Sequence, residues 1–379
     1  MEPGRPMRIA FLCKRRYMGK DVIDDRYARL YEIPFQLARL GHEVHGFCLG
    51  YQSQPEGVME HDALPGRLVW HARSLHRDKV PRLLGYPWWL RDRLRQLRPH
   101  LLIGASDIPH VALAGWLAGR LGVPYAVDLY DNFEGFGQAR IPGFKTALRH
   151  AARQAGLVTT TSDALRDLVR DDYRAKGEVI SLPSTVDLSV FASGDRRAAR
   201  EALGLPIDAP LVGTAGGLYA DKGIGVLYDA WPRIAQAVPG ARLVLAGPTD
   251  PSRPPPEGPQ VHYLGMLAHA RAATLFQALD VGVIYLRDTP FGRYCFPQKA
   301  YEMLSCGLAV AAADVGAMPS LLAEIRQARY RPDDPVDLAR AVVAQLRRPQ
   351  LPTVSIESWE TIIARLEPLI RSLAAQKPV

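Results

Sequence analysis

The sequence predicts a parallel α/β protein built as two similar halves, and three observations carry that expectation. Short, near-continuous apolar runs alternate with helical stretches along the whole chain, as strands covered on both faces require. The alternation restarts after a polar bridge at 186–208, so the 379 residues divide into two domains of ordinary size. No run of about 18 uncharged apolar residues occurs, so no segment reads as a membrane-spanning helix.

The first strand is read at 7–13 (MRIAFLC). A helix follows around 25–40, ends at Gly41, and leads into a strand at 43–49 (EVHGFCL). Further strands are expected at 67–72, 100–105, 124–130, 156–162 and 178–183. In the second half a short helix at 195–203 precedes strands at 210–216, 241–247, 261–265, 280–286 and 308–314. The Pro-rich stretch 248–259 is a loop inside the second domain, because Pro and Ser with few apolar residues build no core element. A last helix, about 357–375, aligns Trp359, Ile362, Ile363, Leu366, Leu369, Ile370 and Leu373 in a stripe that must pack on something. The expected organisation is an N-terminal domain 1–190, a C-terminal domain 191–355, and a helix 356–379 that crosses back to the first domain. A ligand is expected in a cleft between the two domains.

The net charge of +8 is unevenly placed. Residues 1–185 carry 27 Lys and Arg against 20 Asp and Glu, and the remainder carries 20 against 19. An anionic partner would be drawn to the first half. The four cysteines (Cys13, Cys48, Cys295, Cys306) show no paired metal spacing and read as buried thiols of a reducing compartment. Residues 1–6 (MEPGRP) lack the apolar core of a secretory signal, so the expected location is cytoplasmic. No nucleic-acid motif is present, and no metal site is expected.

Two stretches carry candidate chemistry. In PLVGTAGGLYADKGIGVLYDAW (210–231), a strand ends in glycines at 213, 216 and 217, and Asp221-Lys222-Gly223 precedes a helix. Glycines let backbone N–H groups approach an anion, the helix start adds partial positive charge, and Lys222 adds a full one. A diphosphate site is one reading, and an ordinary βα turn with a surface lysine is the other. In PFGRYCFPQKAYEMLSCGLAVAAADVGAMPSLL (290–322), Lys299 and Glu302 lie three apart on a helix that starts near Pro297 and ends at Gly307. They share one face, and a carboxylate there can accept hydrogen bonds from adjacent hydroxyls, as on a ribose. A surface Lys–Glu pair is the plainer alternative.

Taken in order, these stretches resemble the donor site of the GT-B glycosyltransferases, most closely glycosyltransferase family 4. The supporting segments are similar too: GHEV (41–44), LVTTTSDAL (157–165), LPSTVDLSVF (182–191), VHYLG (261–265) and GLAVAAADVGAMPSLL (307–322). The resemblance spans nearly the whole chain and implies two Rossmann-like domains facing each other across a cleft. It implies that Lys222 contacts the donor diphosphate, that Glu302 holds the ribose hydroxyls, and that Gly216 and Gly217 bring backbone close to phosphate or sugar. Leu264 to Met266 would lie by the base. The family's usual arginine, five residues before the lysine, falls on Gly217 here, and the first glutamate of its paired-glutamate motif falls on Tyr294. FPQKAYE resembles a variant subset in which Lys299 supplies the missing positive charge. The family is usually metal-independent, with cations and a helix dipole stabilising the leaving diphosphate. No cofactor is implied, since the UDP- or GDP-linked sugar is a substrate.

On the acceptor side, PYAVDLYDNFEGF (124–136) ends a strand with Asp128, Asp131 and Glu134, where the carboxyl ends of parallel strands place ligands. The resemblance puts Tyr130-Asp131 where the family often has His-Asp. Asp131 would act as general base if the enzyme inverts, or orient acceptor or sugar if it retains; a loop carboxylate capping a helix is the alternative. Lys14, Arg15, Arg16 and Lys20 follow the first strand and would meet a phosphate-bearing acceptor, unless they are simply solvated. Residues 79–98 (KVPRLLGYPWWLRDRLRQLR) interleave leucines and aromatics with six cations, which suits peripheral docking on the inner face of a membrane; an amphipathic helix packed on its own sheet is the other reading.

The function expected is transfer of a sugar from a nucleoside-diphosphate sugar to a hydroxyl on a glycan or lipid-linked acceptor. The resemblance favours retention and a bacterial glycan or polysaccharide assembly role. Two competitors share the architecture: a nucleotide-sugar 2-epimerase, and a non-catalytic nucleotide-sugar-binding subunit of a partner enzyme. The first βα turn (Cys13 to Gly19) lacks the glycine fingerprint of a nicotinamide-dependent oxidoreductase.

Overall fold

A computed structural model describes residues 5–75 and 79–376. The chain forms two compact units: 1–184 with 359–379, and 185–358. The first boundary thus falls a few residues before the expected 190, and the last helix belongs to the first unit.

In the first unit the strands are β1 (Arg8–Lys14), β2 (Arg16–Tyr17), β3 (Lys20–Asp21), β4 (Glu43–Gly50), β5 (Gly57–His61), β6 (Arg67–Ser74), β7 (Leu101–Ala105), β8 (Tyr125–Leu129), β9 (Leu157–Thr160) and β10 (Glu178–Ser181). The helices are α1 (Ala28–Arg39), α2 (Lys79–Leu97), α3 (Ile108–Leu121), α4 (Phe144–Gln154) and α5 (Asp163–Asp167). Eight strands form one sheet in the order β10-β9-β8-β7-β1-β4-β6-β5. All pair in parallel except β5, which runs antiparallel along the edge. The direction of winding reverses between β1 and β7, which makes their carboxyl ends a topological switch point.

The second unit contains α6 (Arg196–Leu203), β11 (Leu211–Ala215), α7 (Gly225–Ala237), β12 (Arg242–Ala246), β13 (Val261–Tyr263), α8 (His269–Ala278), β14 (Val281–Ile284), α9 (Pro290–Tyr294), α10 (Gln298–Ser305), β15 (Ala309–Ala313), α11 (Met318–Leu321), β16 (Arg329–Tyr330) and α12 (Pro335–Arg347). Its sheet is parallel throughout, in the order β13-β12-β11-β14-β15-β16. That is the Rossmann order, with the switch point between β11 and β14. The fully buried strands LVGTA and AVAAA show why the sequence reads as unbroken apolar runs rather than alternation.

The final helix α13 (Trp359–Ala375) packs on α1, β8 and β9 of the first unit. Its stripe Trp359, Ile362, Ile363, Leu366, Ile370 and Leu373 joins the core that holds Phe11, Leu37 and Trp70. Gly156 permits this approach, since a Cβ there would sit 2.3 Å from a Leu373 methyl. The buried His42 ring also meets Glu367 at 3.1 Å. All four cysteines are buried and unbridged.

Candidate donor and acceptor sites

The switch point of the second unit is built from glycines and cations. β11 ends at Ala215, and Gly216 follows with φ +112°, a conformation that only glycine adopts without strain. Gly247 crosses so closely that a Cβ there would lie 2.0 Å from the Gly216 carbonyl oxygen. Tyr285, directly after β14, donates its hydroxyl to the Gly217 carbonyl at 2.7 Å and so fixes the far side of the turn. Lys299 on α10 reaches back over that tyrosine, its Nζ 4.3 Å from the ring centroid, a favourable cation–π distance. The same Nζ would be 3.6 Å from a Cβ on Gly216, which places the ammonium beside the glycine turn. Lys222 is exposed in the short turn before α7, with its Nζ 5.5 Å over the Tyr219 ring.

Electrostatics tie the cluster together. Burial and the neighbouring Lys222 charge lower the Lys299 pKa to about 8, while Glu302 pulls it back up. Burial pushes the Glu302 carboxyl up to about 7, opposed by Lys299. Both side chains nevertheless keep part of their surface open to solvent. The turn thus gathers two ammonium groups and one carboxylate that ionises near neutrality beside exposed glycine backbone.

The remaining donor-side candidates lie on its flanks. Leu264 is half-buried and Met266 is exposed, just beyond β13, where the Gly265 carbonyl accepts a hydrogen bond from Gly247 at 2.8 Å. Tyr294 ends α9, the short helix before α10, and is half-buried. Sequence reasoning missed Tyr285, which reads as part of a buried apolar strand, and Arg287. The Arg287 stem lies against Gly223, where a Cβ would sit 2.7 Å from its Cγ, while its guanidinium pairs with Asp333 at 3.4 Å.

The first unit uses its switch point differently. Lys14 ends β1; its backbone N–H donates to the Ser106 hydroxyl at 2.8 Å and its Nζ donates to the Tyr130 hydroxyl at 2.9 Å. Burial lowers the Lys14 pKa, and the charges of Asp107 and Asp131 act against that. Asp107 caps α3 through the His110 N–H at 3.0 Å and accepts the Tyr51 hydroxyl at 2.9 Å. Burial raises its pKa, but the bonds from His110 and Tyr51 outweigh burial and hold it below the usual range. Asp131 is buried and accepts the Asn132 N–H at 2.8 Å.

Several acceptor-side expectations need correction. Asp128 is buried against Arg29, whose Nε lies 2.9 Å from both carboxylate oxygens, and it also accepts the Thr159 hydroxyl at 2.5 Å. It is an internal strut that ties α1 to β8 and β9, with no face left for an acceptor. Arg15 is buried and spent on Asp21, Asp24 and the Pro55 carbonyl. Glu134 is engaged by Arg149 through two bonds, at 2.5 and 2.9 Å. Arg16 is exposed and donates to Gln52, and Lys20 is exposed on the small β2–β3 hairpin. Of the acceptor-side residues named from sequence, Lys14 and Asp131 remain at the switch point, joined there by Tyr130. Among the described residues no group of three or more His, Cys, Asp or Glu could hold a metal ion, and no helix is long and apolar enough to cross a membrane.

Comparisons with known proteins match both units of the chain. A model of the glycosyl transferase 4-like domain matches residues 29–184, and one of the glycosyl transferases group 1 matches 209–348, one in each unit. A D-inositol 3-phosphate glycosyltransferase of Mycobacterium avium is 33% identical over 175 residues, which cover 43% of this chain and 39% of that protein. The match to the corresponding Mycobacterium tuberculosis protein is 32% identical and covers 35% of it. The chain thus matches less than half the length of these curated relatives. Among solved structures, a sucrose-phosphate synthase from Thermosynechococcus elongatus superposes with a TM-score of 0.75 at 20% identity, covering 97% of this chain and 99% of that one. Anabaena HepE in complex with UDP-glucose superposes at 0.65 and 17% identity, covering 97% and 98%. With both units matched by glycosyltransferase models and the Rossmann order read from the second sheet, the chain belongs to the GT-B glycosyltransferases of the family 4 type.

Proposed function

We propose that the protein transfers a sugar from a nucleoside-diphosphate sugar to a hydroxyl group of a glycan or lipid-linked acceptor. The observation that carries this reading is the convergence of the Gly216–Gly217 turn, Lys222, Lys299 and Glu302 at one switch point. The Glu302 carboxylate accepts the two ribose hydroxyls, and the ammonium groups of Lys222 and Lys299 face the diphosphate. The bond between the sugar's anomeric carbon and the diphosphate oxygen breaks, and the nucleoside diphosphate leaves with the electron pair. The acceptor oxygen bonds to the anomeric carbon and passes its proton to the departing diphosphate oxygen. The two cations stabilise the charge as it develops on the leaving group, and they act most strongly there because the site is only partly wet.

The acceptor is oriented from the first unit by Lys14 and Asp131. A half-buried, hydrogen-bonded lysine suits an acceptor that carries a phosphate or carboxylate. Uridine is the preferred base, a reading supported by the UDP-bound neighbours. Family membership supports retention of anomeric configuration, independence of metal, and a place in bacterial glycan assembly.

The experiment is product analysis by NMR, with UDP- and GDP-linked hexoses and simple phosphorylated polyol acceptors, in the presence and absence of EDTA. The reading expects an α-linked product from an α-linked donor, at an unchanged rate in EDTA. Epimerised free sugar in place of a glycoside would establish the isomerase instead. Donor binding without turnover on any acceptor would favour a binding subunit.

A further inference from the structure

The helix α2 presents two unlike faces. Tyr86, Leu90 and Leu94 recur at a spacing of four and are buried against the first unit. The opposite strip runs Val80, Leu84, Trp88 and Asp92 at a spacing of four, with Arg91 paired to Asp92 at 2.9 Å and Arg95 exposed about one turn further on. Val80, Leu84 and Trp88 are 66%, 64% and 53% exposed. Trp116 of α3 extends the patch: it meets Trp88 edge-on at 6.5 Å and is itself 38% exposed. Arg120 lies over the Trp116 ring, with its guanidinium carbon 4.5 Å from the centroid. A folded domain leaves so many large apolar side chains together on its surface when something else covers them.

We propose that this α2–α3 surface docks on an anionic lipid bilayer. The strip passes from apolar to charged along the helix axis, so Leu84 and Trp88 enter the interface while the exposed Arg95 and Arg120 stay among headgroups. Indole rings with cations beside them suit that boundary, being apolar in the body and polar at the N–H. The half of the chain that carries this surface also carries the charge excess, 27 Lys and Arg against 20 Asp and Glu. A second copy of the chain is a poorer occupant, because a two-fold contact through this patch brings together two surfaces that both carry the exposed cations Arg95 and Arg120. Docking here is independent of which sugar or acceptor the enzyme uses.

The test is flotation of the full chain with phosphatidylcholine vesicles, with and without phosphatidylglycerol. Wild type, a Leu84→Ser/Trp88→Ser double variant and an Arg95→Glu/Arg120→Glu double variant are compared at low and high salt, and unfolding temperature confirms that each variant folds. Wild type is expected to float with phosphatidylglycerol vesicles at low salt. Losing the two apolar side chains should lower partitioning about a hundredfold. Charge reversal should abolish the preference for anionic lipid. Wild type that stays unbound in low salt overturns the proposal, as does an apolar-deletion variant that floats as well as wild type. A wild-type dimer that becomes monomeric in the apolar variant, without vesicle binding, also overturns it and makes the patch a self-association surface.

Discussion

The two switch points of this molecule share a topology and differ in chemistry. In each unit the first strand ends beside the fourth parallel strand of the winding, and the loops that follow form a crevice. In the second unit that crevice is made of Gly216 and Gly217, whose missing side chains leave backbone and ammonium groups open to a ligand. In the first unit the same place is filled by Lys14, which donates to Ser106 and Tyr130, and by Asp107, which is held by Tyr51 and His110. The difference matches the roles proposed above, anion binding in the second unit and orientation of an acceptor group in the first.

The largest effect that would sharpen this contrast is on stability and belongs to the first unit. Asp128→Asn leaves the buried Arg29 guanidinium without its counter-charge, and loss of one partner of a buried pair costs about 3–5 kcal/mol. Chemical denaturation should show that loss, while any folded variant still binds donor. Unchanged stability with loss of acceptor binding would return Asp128 to the acceptor site.

Next in size are the donor-site cations. Lys222→Ala and Lys299→Ala should each lower kcat/KM by about 100- to 1000-fold, the scale for removing one group that stabilises developing charge. Glu302→Gln sharpens the same point, because folding and function pull apart there. The folded carboxyl ionises near 7, above its ordinary value, so its charged form is disfavoured in the folded state and the group's contribution to stability falls as pH rises through 7. The glutamine variant should therefore unfold at or above the wild-type temperature at pH 8, yet lose the stabilisation that donor confers.

The pH dependence of donor affinity follows from the same pair. Below about 7 Glu302 is protonated and a poorer acceptor for hydroxyls, and above about 8 Lys299 sheds its charge. Titration calorimetry across this range should show strongest binding between the two values. The smallest effects are expected at Arg16 and Lys20, where truncation to Ala should change acceptor KM by less than about twofold, as surface charges generally do.

The sheets were readable from the sequence because buried parallel strands leave unbroken apolar runs. The elements that escaped are short or at an edge: the antiparallel edge β5 (GVMEH) and the hairpin β2–β3, which carry exposed residues, and β16, whose two residues are too few to show a pattern. The grouping of Gly216, Lys222, Lys299 and Glu302 was readable because its signals are local, namely glycines after a strand and a Lys–Glu pair on one helix face. Asp128 was misread because its partner Arg29 lies 99 residues away, and nothing in the 124–136 stretch marks the carboxylate as already spoken for. Arg15 is a nearer miss, since Asp21 and Asp24 stand within ten residues of it. Tyr285 and Arg287 could not be placed, because their relation to Gly217 and Gly223 exists only once β11 and β14 lie side by side.

The central claim is that the second unit's glycine-and-lysine crevice binds a nucleoside diphosphate. Thermal unfolding of wild type and Glu302→Ala with UDP, GDP and their sugars tests it most directly. At about 100 times its dissociation constant a specific ligand adds roughly 2.7 kcal/mol of stability. The account predicts a rise in wild type with the uridine ligands and none in the variant. No rise with any nucleotide, or an equal rise in both proteins, would contradict it.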